Sequence, residues 1–171
     1  MAAAPSLADP NDYLVAANDT IEVQASETLG HYAEWLNLKT QRLRDINGLS
    51  FNNPVVVGSH IKLDFTAVNQ QEFMALRTAY HREMQEEFFV RYRVTATTEH
   101  ELEQGESVWV LTHKRYKVPV WLLRQYNPDL DFARVQPGMR ITFPQIESVE
   151  QEARIGAPVV NVPIAETGLS G

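Results

Sequence analysis

The sequence has 171 residues, the length of one domain or of two small ones, which excludes a large enzyme. Hydrophobic residues make up 44% and charged residues 22%, a composition typical of a folded chain and not of a disordered one. The net charge of −7 argues against nucleic acid and anionic membranes as partners. The absence of cysteine excludes disulfides, thiolate nucleophiles and Cys-zinc sites.

The first 19 residues form an N-terminal segment without a predicted role. Its start, residues 1–10, is rich in alanine but has neither a basic region nor a long apolar region, so it does not have the pattern of a signal peptide. Nowhere does the sequence contain a run of about 18 apolar residues, and we therefore expect no membrane insertion.

Residues 20–65, called module 1 below, are predicted to fold as strand, helix, helix, strand. Strand-like runs at 20–24 and 59–65 begin and end the module. Leu43 and Ile46 face inward on a second helix that ends at Asn47-Gly48, where glycine supplies a positive φ. The first helix has an apolar face at helical spacing, formed by Leu29, Tyr32, Ala33 and Leu36.

Residues 66–99 predict a structured connector. An amphipathic helix is expected from Val68 to Glu87, followed by a strand over 89–95 that pairs beside residues 100–104. His81-Arg82-Glu83 and Glu86-Glu87 are interpreted as a solvated charged face. The apolar face of the helix is formed by Phe73, Leu76, Tyr80, Met84 and Phe88.

Residues 100–144, called module 2, repeat module 1. Residues 21–29 align with residues 100–108 at an offset of 79, whereas Asn47 aligns with Asn127 at an offset of 80. Module 2 therefore carries one extra residue, which we place at Arg115. Pro144 is expected to end the module, and 145–171 to form a C-terminal tail or linker.

Module 2 also carries a series of short motifs in a characteristic order. These are Glu103-Gln104-Gly105-Glu106-Ser107-Val108-Trp109, then Val118-Pro119-Val120, then Asn127-Pro128, then Gln136-Pro137-Gly138. Their order and spacing resemble the LysM family, in which two helices lie on one face of a two-stranded antiparallel sheet. Module 1 is more diverged, with Ser26-Glu27 in place of Gly-Asp and Val57-Gly58 in place of Pro-Gly. The expected fold class is α+β, with two βααβ modules joined by a helix and a short strand.

The resemblance implies that the chain binds glycans containing N-acetylglucosamine, either peptidoglycan or a chitin-like polymer. The expected groove lies between the turn after the first strand and the loop after the second helix. In module 2 these residues are Gly105, Glu106, Ser107, Val108, Asn127, Pro128, Asp129 and Leu130. Their counterparts in module 1 are Ser26, Glu27, Thr28, Leu29, Asn47, Gly48 and Leu49. Each of these residues also has a purely structural interpretation as a turn or helix-end residue.

Several large apolar residues lie outside the predicted core of the modules. Either they pack the connector against the modules into one compact unit, or they bind an envelope protein partner. The second reading makes the chain an interaction scaffold that keeps the fold without binding glycan. The residues are Trp35, Trp121, Leu122, Phe73 and Tyr80.

No catalytic site is expected. The five histidines are interpreted as surface side chains without metal-ligand spacing, and no cofactor motif is found. Glu27 and Glu106 are expected to stand alone in exposed turns, whereas a glycosidase needs two neighbouring carboxyl groups. The chain is thus expected to be a non-catalytic protein of the bacterial cell envelope, periplasmic or extracellular, or the targeting region of a cell-wall hydrolase.

Overall fold

The computed structural model describes residues 7–150. The expected α+β class is confirmed, with two small antiparallel sheets and helices packed against them. A short 3-10 helix at Pro10–Tyr13 precedes the first strand. In chain order the elements are β1 Thr20–Glu22, α1 Leu29–Trp35, α2 Thr40–Asn47, β2 His60–Lys62, α3 Gln70–Arg91, β3 Tyr92–Glu101, α4 Val108–Val110, α5 Val120–Tyr126 and β4 Arg140–Ser148. Residues 1–6 and most of the predicted tail, 151–171, lie outside the described residues.

In module 1, β1 pairs with β2 in register, with Ile21 opposite Ile61. Both isoleucines are buried because the period-2 alternation of the strands places them on the face that the helices cover. Leu29, Tyr32, Ala33 and Leu36 join the same core, as their helical spacing predicts. Gly48 ends α2 with a φ of +63°, which is the conformation expected of a glycine at that place.

Module 2 repeats these contacts. The N–H of Leu102 donates to the Met139 carbonyl, and the N–H of Gly138 donates to the Leu102 carbonyl. In module 1, the N–H of Val23 donates to the Ser59 carbonyl and the N–H of Gly58 to the Val23 carbonyl. The extra residue is found where α4 continues as a π-helix over Leu111–Tyr116. A π-turn is how a helix accommodates one inserted residue, so the position predicted for the insertion, Arg115, is confirmed to within this turn.

The strand that follows α3 differs from the prediction. Phe89, Val90 and Arg91 belong to α3, and β3 then runs from Tyr92 to Glu101 as one strand, with a shift of register between Val94 and Ala96. The expected pairing of 89–95 beside 100–104 is therefore wrong. Residues 95–99 contain no glycine, proline, asparagine or aspartate, so nothing turns the chain, and both stretches pair with β4 instead.

β4 also continues past Pro144, so Pro144 does not end the module and residues 145–148 are strand rather than tail. Pro144 lies opposite Thr97 in the ladder. Proline is tolerated there because β4 belongs to a two-stranded sheet, where half of the N–H groups of each strand point away from the partner strand. Within the described range, none of the helices has the length and apolar character needed to cross a bilayer.

Candidate functional site

The turn after the first strand is built in the same way in both modules. Ser26 and Gly105, at equivalent positions, have φ values of +69° and +86°. One residue later, Glu27 accepts a hydrogen bond from the N–H of Gln24 at 2.9 Å and Glu106 from the N–H of Glu103 at 2.9 Å. Each acidic residue therefore closes its own turn, which is a structural role.

Glu27 is not exposed, contrary to prediction. Its side chain is 0% exposed and forms an ion pair with Arg77 of α3, with Nε at 2.6 Å from Oε1 and Nη2 at 2.9 Å from Oε2. His81 Nε2 lies 2.7 Å from Oε1, and the Tyr32 hydroxyl donates to Oε2. Burial by itself raises the pKa of Glu27, but the hydrogen bonds from His81 and Arg77 outweigh it and lower that pKa to about 2.

This network also corrects two predictions about α3. His81 is 1% exposed and stacks on Tyr13, so it does not belong to a solvated face. Leu76, expected on the buried face, is 43% exposed. The face of α3 that packs inward consists mostly of polar residues at helical spacing. These are Phe73, Arg77, Thr78, His81 and Gln85.

The first turn of module 1 is covered by α3 and closed by its own side chains. The Tyr80 hydroxyl donates to the Ser26 carbonyl at 2.8 Å. Thr28 and His31 form a capping box, in which the N–H of Thr28 donates to His31 Nδ1 at 3.1 Å and the N–H of His31 to Thr28 Oγ1 at 3.3 Å. The Thr28 N–H and the Ser26 carbonyl are therefore already bonded within the protein.

The first turn of module 2 is open. Ser107 begins α4 without a side-chain cap hydrogen bond, and Val110, at the position of His31, has no polar side-chain atom to complete a capping box. Among residues 7–150, no group accepts a hydrogen bond from the N–H of Ser107 or of Val108. Glu106 is half-buried, and the hydrogen bonds from the Glu103 N–H and from His100 hold its pKa below the usual value.

The loop after the second helix is held by an asparagine in each module. Asn127 Nδ2 donates to the Leu123 and Thr142 carbonyls at 2.8 and 2.7 Å, and its Oδ1 accepts from the Thr142 N–H at 2.8 Å. Asn47 makes the same three bonds in module 1, to Leu43 and Lys62. These side chains join the helix end to the last strand, which gives both asparagines a structural role.

The structure brings the two predicted loops of module 2 together. Leu130 packs against the core cluster that contains Val108, and Pro128 and Asp129 are exposed beside it. In module 1, Leu29 and Leu49 meet in the same way, and Leu29 is buried as Val108 is in module 2. Gly48 is exposed at the end of α2.

The aromatic residues singled out by sequence are used within the chain. Trp35 is 8% exposed and packs on Phe73 and Tyr80 of α3, at ring distances of 6.0 and 5.3 Å. Trp121 of α5 contacts Phe88 and Phe89 at the other end of α3, at 5.2 and 5.8 Å. Leu122 is fully buried. The helix α3 therefore contacts both modules, as the compact alternative predicted.

A cleft of about 1090 Å³ lies where the modules meet, and sequence reasoning did not predict it. Arg124 of α5 crosses between the modules, with Nη1 2.7 Å from Gln24 Oε1 and Nη2 3.2 Å from Glu22 Oε1. The N-terminal segment, module 1 and α3 line one side with Asp12, Tyr13, Glu22, Gln24, Gln85 and residues 57–60. Module 2 lines the other with Trp109, Val120, Trp121, Arg124, Gln125 and residues 127–134.

Residues 103–144 match the model of the LysM domain family. Members of this family typically bind glycans such as peptidoglycan or chitin. A comparison with curated proteins gives no significant match. Among solved structures, the chain is similar over 74% of its length to 22% of the Bacillus megaterium QM B1551 spore cortex-lytic enzyme SleL, at 16% identity and a TM-score of 0.25. The chain thus spans about a fifth of that enzyme's length.

Proposed function

Since residues 103–144 are a LysM domain, we propose that the chain binds N-acetylglucosamine-containing glycan, and specifically bacterial peptidoglycan, through module 2 alone. Residues 105–108 and 127–130 form the binding surface. Module 1 keeps the fold but serves as a structural partner for α3.

The difference between the two first turns carries this proposal. A neutral sugar with an acetamido group needs backbone donors and acceptors together with a small apolar floor. Module 2 offers the unpaired N–H of Ser107 next to the apolar side chain of Leu130. In module 1, the Thr28 N–H and the Ser26 carbonyl, which a sugar would need, are bonded inside the protein.

The proposed activity is binding without hydrolysis. Glu27 is held by the ion pair with Arg77 and by three further hydrogen bonds, and Glu106 closes a turn, so neither carboxyl group is placed as a catalytic acid or base. A ligand of this kind supports a location in the bacterial cell envelope, in the periplasm or outside the cell. The contacts of Trp35 and Trp121 with α3 favour this proposal over the alternative, an envelope scaffold that uses these two side chains to bind a partner.

The test is calorimetric titration with the N-acetylglucosamine tetramer, supported by retention on insoluble peptidoglycan. Ser107→Tyr places a bulky side chain in front of the open amides. The exchange removes no cap hydrogen bond, and the extended φ of −109° at Ser107 suits tyrosine. We expect binding to weaken at least tenfold, which is about 1.4 kcal/mol.

The matched control is Ser50→Tyr, at an exposed position after the second helix of module 1. This variant should bind as the wild type does, and circular dichroism should show both variants folded. Loss of binding in Ser50→Tyr with retention in Ser107→Tyr would assign the site to module 1. Absence of any binding to tetramer and to peptidoglycan would refute the proposal, and release of new reducing ends would refute the non-catalytic reading.

A further inference from the structure

Arg124 joins the two modules across the cleft. It lies on α5 of module 2, and its guanidinium donates to two side chains of module 1. Nη1 donates to Gln24 Oε1 at 2.7 Å, and Nη2 donates to Glu22 Oε1 at 3.2 Å. A guanidinium is a planar fork, so two bonded nitrogens fix the orientation of the whole group. Module 1 therefore determines where this group lies.

The two acceptors belong to a stretch of backbone that is itself fixed. The N–H of Gln24 donates to Glu27 Oε2 at 2.9 Å, and Glu27 forms the buried ion pair with Arg77 of α3. The carbonyl of Glu22, at the end of β1, accepts from Arg77 Nη2 at 2.7 Å. Both acceptors are thus presented to Arg124 from backbone that the buried ion pair holds in place.

The guanidinium of Arg124 also lies against the loop that carries the proposed binding residues. Its Cζ atom is 5.1 Å from the centre of the Phe132 ring, which is the geometry of a cation–π contact. Phe132 and Leu130 both pack against the core of module 2. Residues 127–134 form a loop, and ordering a loop when a ligand binds costs free energy. A contact that holds Phe132 in the free protein lowers this cost for Leu130, two residues earlier.

We propose that Arg124 is a positioning residue for glycan binding. Because module 1 fixes its guanidinium, Arg124 holds Phe132 in place and so prepares the loop that carries Asp129 and Leu130 before the sugar binds. Module 1 thereby raises the affinity of module 2 without contacting the glycan. This inference rests on the proposed function, since residues 127–130 are part of the proposed binding surface, and it adds to that function an effect of module 1 on affinity.

Calorimetric titration with the N-acetylglucosamine tetramer measures this effect. Arg124→Met removes the guanidinium but keeps a long side chain, and it should weaken binding by about two- to fivefold, the range of a partly exposed cation–π contact. Glu22→Ala/Gln24→Ala removes the two acceptors instead and should give a loss of similar size, although both exchanges lie in module 1. The matched control is Arg42→Met, which breaks the ion pair with Asp64 inside module 1 and should bind as the wild type does.

The triple variant shows whether the acceptors act through Arg124. If they do, Glu22→Ala/Gln24→Ala/Arg124→Met should bind no more weakly than Arg124→Met, because the bridge between the modules is already broken. Losses that multiply would indicate separate contacts with the glycan and would overturn the inference. Wild-type affinity in Arg124→Met, or an equal loss in Arg42→Met, would overturn it as well.

Amide chemical shifts of the free protein provide a measurement that needs no ligand. In Glu22→Ala/Gln24→Ala, the amides of residues 130–133 should shift although the exchanged side chains belong to module 1, and circular dichroism should show the variant folded. Unchanged amides at 130–133 would contradict the inference. If the wild type does not bind the tetramer, the proposed function fails. If it binds and Arg124→Met binds equally well, only the inference fails.

Discussion

The ion pair between Glu27 and Arg77 should be the most sensitive single contact for stability. The Glu27 side chain is 0% exposed and that of Arg77 is 1% exposed, so Glu27→Gln leaves a buried guanidinium charge without its counter-charge. Breaking a buried pair from one side costs about 3–5 kcal/mol. For a chain of this size, the loss corresponds to a fall in Tm of about 10 °C.

Urea and thermal unfolding followed by circular dichroism measure this loss. Glu106→Gln is the matched control, because it is the same exchange at the equivalent turn of module 2, where the carboxylate is 24% exposed and bonded to His100 rather than to an arginine. It should cost much less. The double variant Glu27→Gln/Arg77→Met leaves no member of the pair charged and buried alone. Its loss of unfolding free energy should therefore be about 1–3 kcal/mol smaller than the sum of the losses in Glu27→Gln and Arg77→Met. A cost below about 1 kcal/mol for Glu27→Gln, or additive single losses, would refute the reasoning.

Three further predictions concern the framework of the site. The pKa of Glu27 is about 2 in the folded protein, whereas its ordinary value is 4.5. The stabilisation from this group is therefore fully present above pH 4.5, and the free energy of unfolding should fall by about 3 kcal/mol as the pH drops towards 2. Glu27→Gln should not show this loss in the same acid titration. Asn127→Ala removes three hydrogen bonds that join α5 to β4 and should cost about 2–3 kcal/mol in urea unfolding; a neutral result would free Asn127 for a direct role in binding. Trp121→Ala should cost about 2 kcal/mol and increase proteolysis near Phe88, whereas wild-type stability would show that α3 and module 2 are independent.

The repeated fold could be predicted because its determinants are local. The apolar spacing in α1, the positive φ at Gly48 and the offset that places one extra residue in module 2 are all visible within a few residues of the chain. β3 was also predictable in principle, since the absence of any turn residue in 95–99 indicates one long strand.

The wrong predictions about α3 and Glu27 have a common, non-local cause. The helix has two neighbouring stripes, an apolar one through Leu76 and a mostly polar one through Arg77 and His81. Hydrophobicity alone favours burial of the apolar stripe. The second is buried instead because Glu27, fifty residues earlier in the chain, provides the compensating charge. Periodicity describes each residue separately, so it does not show that two charged groups meet.

The open and closed turns likewise depend on one pair of residues. Thr28 and His31 complete a capping box, whereas Ser107 and Val110 do not. The sequence contains this difference, and the absence of a polar residue at position 110 is the signal that points to it. The cleft between the modules gave no such signal, because its walls combine the N-terminal segment, module 1, α3 and module 2, which are separated in sequence.

The central claim is that module 2 binds the glycan and that module 1 serves as a structural partner for α3. Titration of the ¹⁵N-labelled chain with N-acetylglucosamine tetramer, followed by amide chemical shifts, tests it most directly. Saturable shifts should appear at the amides of residues 105–109, Asn127, Asp129 and Leu130, with the amides of 26–29 and 47–49 unchanged. Shifts of equal size in the turns of module 1, or none in module 2, would contradict the account.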